Sequence, residues 1–413
     1  MTSVLSVLAR ARAKVVYIAL HLAIFLGYAP WFVREALHKT DLMGTDFAVF
    51  YTGWTLVVRG SGRLLYDIDA QRVVEHALYN GREFPGGLVP FLHPPHAALV
   101  MAPLALLPRT AATWLWTLVQ LVSLAWLGRA LTRVAGLVRT LDQWIIGAAL
   151  LACPPVFASL QFGQLAIIMA VALLGLVLAE REGRDGVAAV CLLVLSAKPH
   201  LLPIPLAVLV AHRRWGIVLR AGLAGAALAA LTMAVLGVHI YSDYLVSLPR
   251  LEPYWGVGLP HYMVNLRGTL IRLFAADHRT VSTLTAAGFV ASIGAAYIVA
   301  RREADGRRPD GETWSVVLAV GLILNPHLFI HDVILWTVPL VLFYAQLERQ
   351  GAHSTPFAAF VLSWPLVGVV NDLLEQRQIL LPIHLLFAEA FVAAVWILSR
   401  YLERPARTPD SVA

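Results

Sequence analysis

The chain has 413 residues, of which 59% are apolar and 14% charged. A soluble domain carries about 25% charged residues; 32 Lys plus Arg and 25 Asp plus Glu are too few to cover a soluble surface of this size. The two cysteines exclude a disulfide scaffold, and a mean hydropathy of +0.72 predicts an all-α, polytopic transmembrane bundle.

The net charge of +7 does not point to nucleic acid. The basic residues fall in short clusters between apolar runs: Arg10 to Lys14, Arg129 to Arg139, Arg181 with Arg184, Arg213 with Arg214, and Arg301 to Arg308. Cytoplasmic turns look like this under the positive-inside rule.

In chain order, the run 15–33 is long enough to span a bilayer. The basic stretch before it holds the N-terminus in the cytoplasm, and the polar residues after it mark an uncleaved anchor. The stretch 34–90 is then an outer loop, with amphipathic patches at 47–58 and 68–79 that predict short helices on the membrane surface. The segment 91–108 carries Pro94, Pro95, Pro103 and Pro108, which suit a continuous helix badly. A full crossing there would also put Arg129 to Arg139 outside and invert every later basic turn. It therefore reads as re-entrant from the outer side. Further apolar runs at 110–128, 144–160, 164–179, 186–197, 201–211, 216–237, 281–300, 314–329, 332–346, 355–370 and 380–399 bring the total to about twelve crossings. A second outer loop covers 238–280, and 401–413 is expected to be a disordered cytoplasmic tail within this single 1–413 domain.

This threading collects acids, amides, histidines and aromatics on the outer face and little but arginine on the other. Ionisable groups near a membrane are costly and usually functional. Four features stand out. Asp46, in Asp46-Phe47-Ala48-Val49-Phe50-Tyr51, is a carboxylate just past the first span; it also suits a helix N-cap. His93 and His96 flank Pro94-Pro95; they could bind a metal, or hydrogen-bond carbonyls freed by the prolines. Lys198, before Pro199-His200, could hold a phosphate or merely snorkel to the interface. In Asn325 to Asp332, His327 and His331 sit at i, i+4 without the Glu of a zinc protease, so a turn or a phosphate or sugar contact fits better than zinc. No metal is expected.

These residues, taken in order, resemble glycosyltransferase family 87. The family's opening pattern is matched by Asp46-Phe47, Val49-Phe50-Tyr51, Gly60 and Leu65-Tyr66-Asp67. Pro94-Pro95, Pro103 to Pro108, Gly163-Gln164, Lys198-Pro199 and the turn from Asn325 to His331-Asp332 continue it. His93 stands where the family usually has Tyr, Leu165 follows Gly163-Gln164 where a Val-Asn pair is frequent, and only His331 keeps the register of the mannosyltransferase branch.

The resemblance implies a GT-C fold in the cytoplasmic membrane with its active site facing the periplasm or the outside. It implies transfer of a hexose, mannose favoured, from a polyprenyl-phosphate-linked donor to a lipid or glycan acceptor among membrane lipids, without cofactor. Asp46 would be the general base. Lys198, His331 and Arg267 would hold the donor phosphate. Tyr51, Tyr66, Asp67, His93, Gln164, His327 and Asp332 would contact substrate. The rival readings are a secondary transporter, which would want internal repeats meeting at midplane, and a non-catalytic lipid-glycan binding subunit.

The threading has a direct test. Cysteines introduced at Thr110 and Gly136 should react with impermeant reagents from outside and from the cytoplasm respectively. The reverse pair would mean that 91–108 spans.

Overall fold

The computed structural model describes residues 4–37, 46–78, 81, 88–256, 263–274, 277–303, 308–352, 354–377, 379, 381 and 383–403. Among these residues the structure is helical, and its one β-bridge is an isolated antiparallel pair, Met263 with Phe329. The expected tail lies outside the described residues from 404 onward, as do parts of both expected outer loops (38–45, 79–80, 82–87, 257–262 and 275–276).

Six helices among the described residues are long and apolar enough to cross a bilayer: Arg109–Val134, Trp215–Leu236, His278–Arg302, Ile330–Arg349, Thr355–Leu374 and Leu385–Leu402. A seventh span arises if Thr140–Ala152 and Pro154–Phe162, bent by 56° at Cys153, count as one broken crossing. The chain is therefore a helical protein with several candidate membrane spans, but the twelve crossings expected from the apolar runs do not appear as twelve long helices. The runs at 186–197, 201–211 and 314–329 become helices Asp185–Leu195, Pro203–Ala211 and Gly311–Ile323, of 11, 9 and 13 residues. A crossing takes about 20 residues. Prolines and polar turns end these helices early: Lys198-Pro199 interrupts the first pair, and Asn325-Pro326 stops the third.

Spans that face lipid show it in their exposed side chains. Trp215, Leu219, Leu223, Leu231 and Val235 form an apolar stripe down one helix, and Phe391, Val392, Val395 and Leu402 another. Nothing but hydrocarbon or a partner covers such stripes.

The helix Asp46–Val58 corrects an expectation. It forms where the amphipathic patch was read, with Asp46 in its first turn, where the helix dipole favours a negative charge. It does not lie on a surface, because residues 47–56 are all buried. The reason is visible in Phe47-Ala48-Val49-Phe50-Tyr51-Thr52-Gly53-Trp54, which is apolar on every side; a helix with no polar face goes inside. Ile68–Leu78, by contrast, is amphipathic and buries only Gln71, Val74 and Glu75. Residues 95–106 form two short helical pieces, Pro95–Met101 and Ala102–Leu106, packed against Asp46–Val58.

The turns gather in two sets. One joins the Arg-rich turns: Arg214 pairs with Glu180 and Asp185, each at 3.0 Å, and Arg220 reaches Asp185 at 3.2 Å. Arg308 donates to the Glu180 and Arg181 carbonyls, and Lys14 pairs with Asp142. The other set brings Asp46, Gly163-Gln164, Lys198 and Asn325 to Asp332 together. The helix Ala166–Arg181 runs from one set to the other.

Gly163 fixes the second set. It ends Pro154–Phe162 in the left-handed region at φ 71°, and a Cβ there would stand 2.6 Å from the Phe47 Cβ. Gly163→Ala should therefore cost about 1–3 kcal/mol, strain and clash together, read as a lowered Tm of the purified protein. Gly136→Ala, at φ 69° with nothing within 4 Å, carries the strain alone and should cost less. Equal losses would mean that Phe47 moves aside freely.

Candidate functional site

The centre of the site is a buried ion pair. Lys198 Nζ donates to Asp332 Oδ1 at 2.5 Å, with Lys198 4% exposed and Asp332 fully buried. The other carboxylate oxygen of Asp332 accepts from the Phe329 backbone N–H at 3.2 Å and lies 3.4 Å from His331 Nε2. Removing two charges from water is expensive unless each is paired and hydrogen-bonded. Here both Asp332 oxygens are engaged, and Asp332 also holds the 3₁₀ turn Ile330–Trp336 at its start.

Asp46 adjoins this pair. Its carboxyl is hydrogen-bonded by Gln164 and feels the charges of His331, Lys198 and Asp332. The residue is half-buried, unlike Asp332. Burial pushes its carboxyl above the usual carboxylate range, and His331, Gln164 and Lys198 pull the other way. A carboxyl poised this way, with a cation and an imidazole beside it, can accept a proton nearer neutrality than a free aspartate.

Surrounding turns hold these groups by backbone contacts. Trp116 Nε1 donates to the Gly163 carbonyl at 2.7 Å and anchors the turn carrying Gln164. Asn265 caps Leu266–Leu273 by accepting from the Gly268 N–H at 2.8 Å, and its amide donates to the Asn325 carbonyl at 2.9 Å. Asn325 in turn donates to the His200 carbonyl at 3.1 Å, while Val264 N–H donates to the Leu328 carbonyl at 2.9 Å. The turns at 198–200, 263–265 and 325–332 are thus laced together.

The predicted residues divide clearly. Asp46, Gln164, Lys198, His331 and Asp332 come together, with Asp332 serving as the counter-ion of Lys198. His93 borders them: its Nδ1 lies 3.1 Å from the Ala197 carbonyl, and burial lowers its pKa to about 4, so it is neutral at physiological pH. His327 packs edge-on against His200 at 5.3 Å and feels the charges of His200, Lys198, Asp332 and Arg267, in that order. Tyr51 and Tyr66 spend their hydroxyls on backbone, donating to the carbonyls of Leu107 and His93 at 2.7 Å each; they tie down the 91–108 segment. Asp67 is exposed and accepts from the Ala70 N–H at 2.8 Å, capping Ile68–Leu78.

Two contributors escaped the sequence reading. Asn265 is one, though an Asn three residues before Gly268 at the head of an amphipathic stretch is an N-cap signal. Trp116 is the other; one tryptophan among several in an apolar run carries no signal of its partner. Among the described residues no group of three or more His, Cys, Asp and Glu is arranged to hold a metal ion.

The profile of glycosyltransferase family 87 matches residues 91–330, more than half of the chain. The match includes Gln164, Lys198, Arg267 and His327, stops one residue before His331, and begins after Asp46. No curated protein and no solved structure gives a match. The chain belongs to glycosyltransferase family 87 and is a multi-pass membrane glycosyltransferase.

Breaking the central pair on one side leaves a buried charge without a partner. Lys198→Met should cost about 3–5 kcal/mol of stability. Lys198→Met with Asp332→Leu should recover most of it, measured as Tm in detergent. No recovery in the double variant would mean that the ion pair itself specifies the 330–336 turn.

Proposed function

We propose that this glycosyltransferase moves a hexose, mannose favoured, from a polyprenyl-phosphate-linked donor to a lipid or glycan acceptor at the outer face of the cytoplasmic membrane. The observation that carries the reading is the adjacency of a half-buried carboxyl, Asp46, to two basic side chains, Lys198 and His331. Glycosyl transfer needs both: a base for the acceptor and positive charge for the leaving group.

Asp46 takes the proton of the acceptor hydroxyl as its oxygen attacks the anomeric carbon. The bond from that carbon to the phosphate oxygen breaks, its electron pair leaves on the phosphate, and the configuration inverts in one step. Lys198 has three donors and gives one to Asp332, so the ammonium can turn another toward the departing phosphate. His331 adds a second donor, and Arg267 a more distant cation. Asp332 pairs with Lys198 in its buried setting. Gln164 orients the Asp46 carboxyl, and His93 and the tyrosine-anchored 91–108 segment lie beside these groups, where they could contact substrate. No nucleotide or cofactor enters this scheme.

Asp46→Asn keeps the shape and any capping role but cannot accept the proton. Turnover should fall about 10²–10⁴-fold with Tm unchanged, while Asp67→Asn should keep turnover near wild type. The wild-type rate should fall as the pH drops and Asp46 protonates, with the acid limb above the ordinary aspartate pKa of about 3.9. Sugar transfer from polyprenyl-phosphate-mannose to a lipid extract would read all three. Retained turnover in the Asp46 variant would remove it from the mechanism.

A further inference from the structure

At the Arg-rich end of the bundle, away from Asp46, lies a cavity of about 760 Å³. Its wall includes Arg129, Arg133, Arg181, Arg184 and Arg349, with Glu182 as the one acid. These arginines come from the ends of three helices that are distant in sequence: Arg109–Val134, Ala166–Arg181 with the turn after it, and Thr337–Arg349. Arg184 is paired with Glu182 at 2.7 Å, and Arg181 is repelled by Arg349 while Asp310, Glu180 and Glu182 attract it. Cations that only mark a cytoplasmic face can spread into water. Cations facing one concavity raise its potential and attract an anion.

The floor of the cavity is apolar, with Trp126, Val134, Leu178 and Ala345. It continues into a second pocket of about 290 Å³ that shares Trp126, Leu178 and Arg184. That pocket runs between the helices along Gly175, Val187, Val190, Cys191 and Val194 and is nearly all apolar. Val187 and Val190 in its lining are about half exposed, so it reaches the apolar surface of the bundle. A charged basin leading into an apolar groove matches a molecule with an anionic head and a hydrocarbon tail.

We propose that this composite pocket binds an anionic glycerophospholipid of the surrounding bilayer, the phosphate among Arg129, Arg133, Arg181 and Arg349 and an acyl chain in the groove. The site is separate from the transfer chemistry. The 16-residue helix Ala166–Arg181 lies between them, a separation of about 24 Å at 1.5 Å per residue. The assignment does not depend on which sugar or acceptor the enzyme uses.

Native mass spectrometry of the full chain with cardiolipin or phosphatidylcholine tests it. Cardiolipin should be retained and phosphatidylcholine lost. Arg129→Gln/Arg133→Gln/Arg349→Gln should lower cardiolipin occupancy about tenfold or more. Arg12→Gln/Arg139→Gln/Arg302→Gln removes as many exposed cations outside the cavity and should leave occupancy near wild type. Val187→Ser/Val190→Ser keeps every arginine and should still weaken binding, because the chain loses its groove. Tm is measured on each variant, so that a folding failure is seen as one. Equal losses in the two arginine triples would overturn the proposal in favour of diffuse attraction. Equal retention of phosphatidylcholine, or displacement of cardiolipin by inorganic phosphate at millimolar concentration, would also overturn it.

Discussion

The Lys198–Asp332 pair is the contact on which the site's geometry depends. It joins turns 134 residues apart in the sequence and does so in the dry interior. A lone lysine there would sooner lose its proton than its water, and a lone aspartate would sooner gain one. With the two side by side, the cost of burying them is met by full pairing of the carboxylate: one oxygen on the lysine, the other on a backbone N–H with an imidazole beside it. The pair therefore places a cation at a set point, and it holds Phe329 to Asp332 in the conformation that presents His331.

Asp46 can then differ from Asp332 although both are aspartates within one cluster. Asp332 is fully buried, with both carboxylate oxygens engaged. Asp46 is half-buried and has an amide for company. The difference comes from backbone placement. Asp332 is inside a 3₁₀ turn capped by its own carboxylate, and Asp46 begins a helix whose apolar body drives it inward and leaves its first residue at the rim. Two environments, set by packing, thus distinguish the two carboxylates, and in the proposed mechanism only Asp46 acts as the base.

Much of this was legible in the sequence. Hydropathy alone gave the membrane class, and the ordered polar breaks gave the family, with Gln164, Lys198 and His331 among the residues that converge. What stayed hidden was pairing. The Lys198 partner of Asp332 is distant in the chain, and nothing local shows that a backbone carbonyl takes the hydroxyl of Tyr51 or of Tyr66. The number of crossings is likewise not settled by hydropathy. An apolar run reports burial, and burial against other helices reads the same as burial in lipid; Gly311–Ile323 is apolar because protein surrounds it.

The same ambiguity bears on the charges. A count of arginines explains which side of the membrane a turn prefers, but it is silent on whether those arginines disperse or converge. Arg214 and Arg220 disperse onto Asp185 and Glu180, and Arg308 onto carbonyls. Arg129 and Arg133 line a cavity instead, with Arg181 and Arg349 across from them. Neighbouring turns thus use one residue type in two ways, and only the first is accounted for by topology. Folding brings the second set together from three helix ends, so their convergence is a property of the bundle and not of any one turn. Arg181 feels Asp310, Glu180 and Glu182 as well as Arg349, so what sets these arginines apart is the concavity they share and not a want of acids.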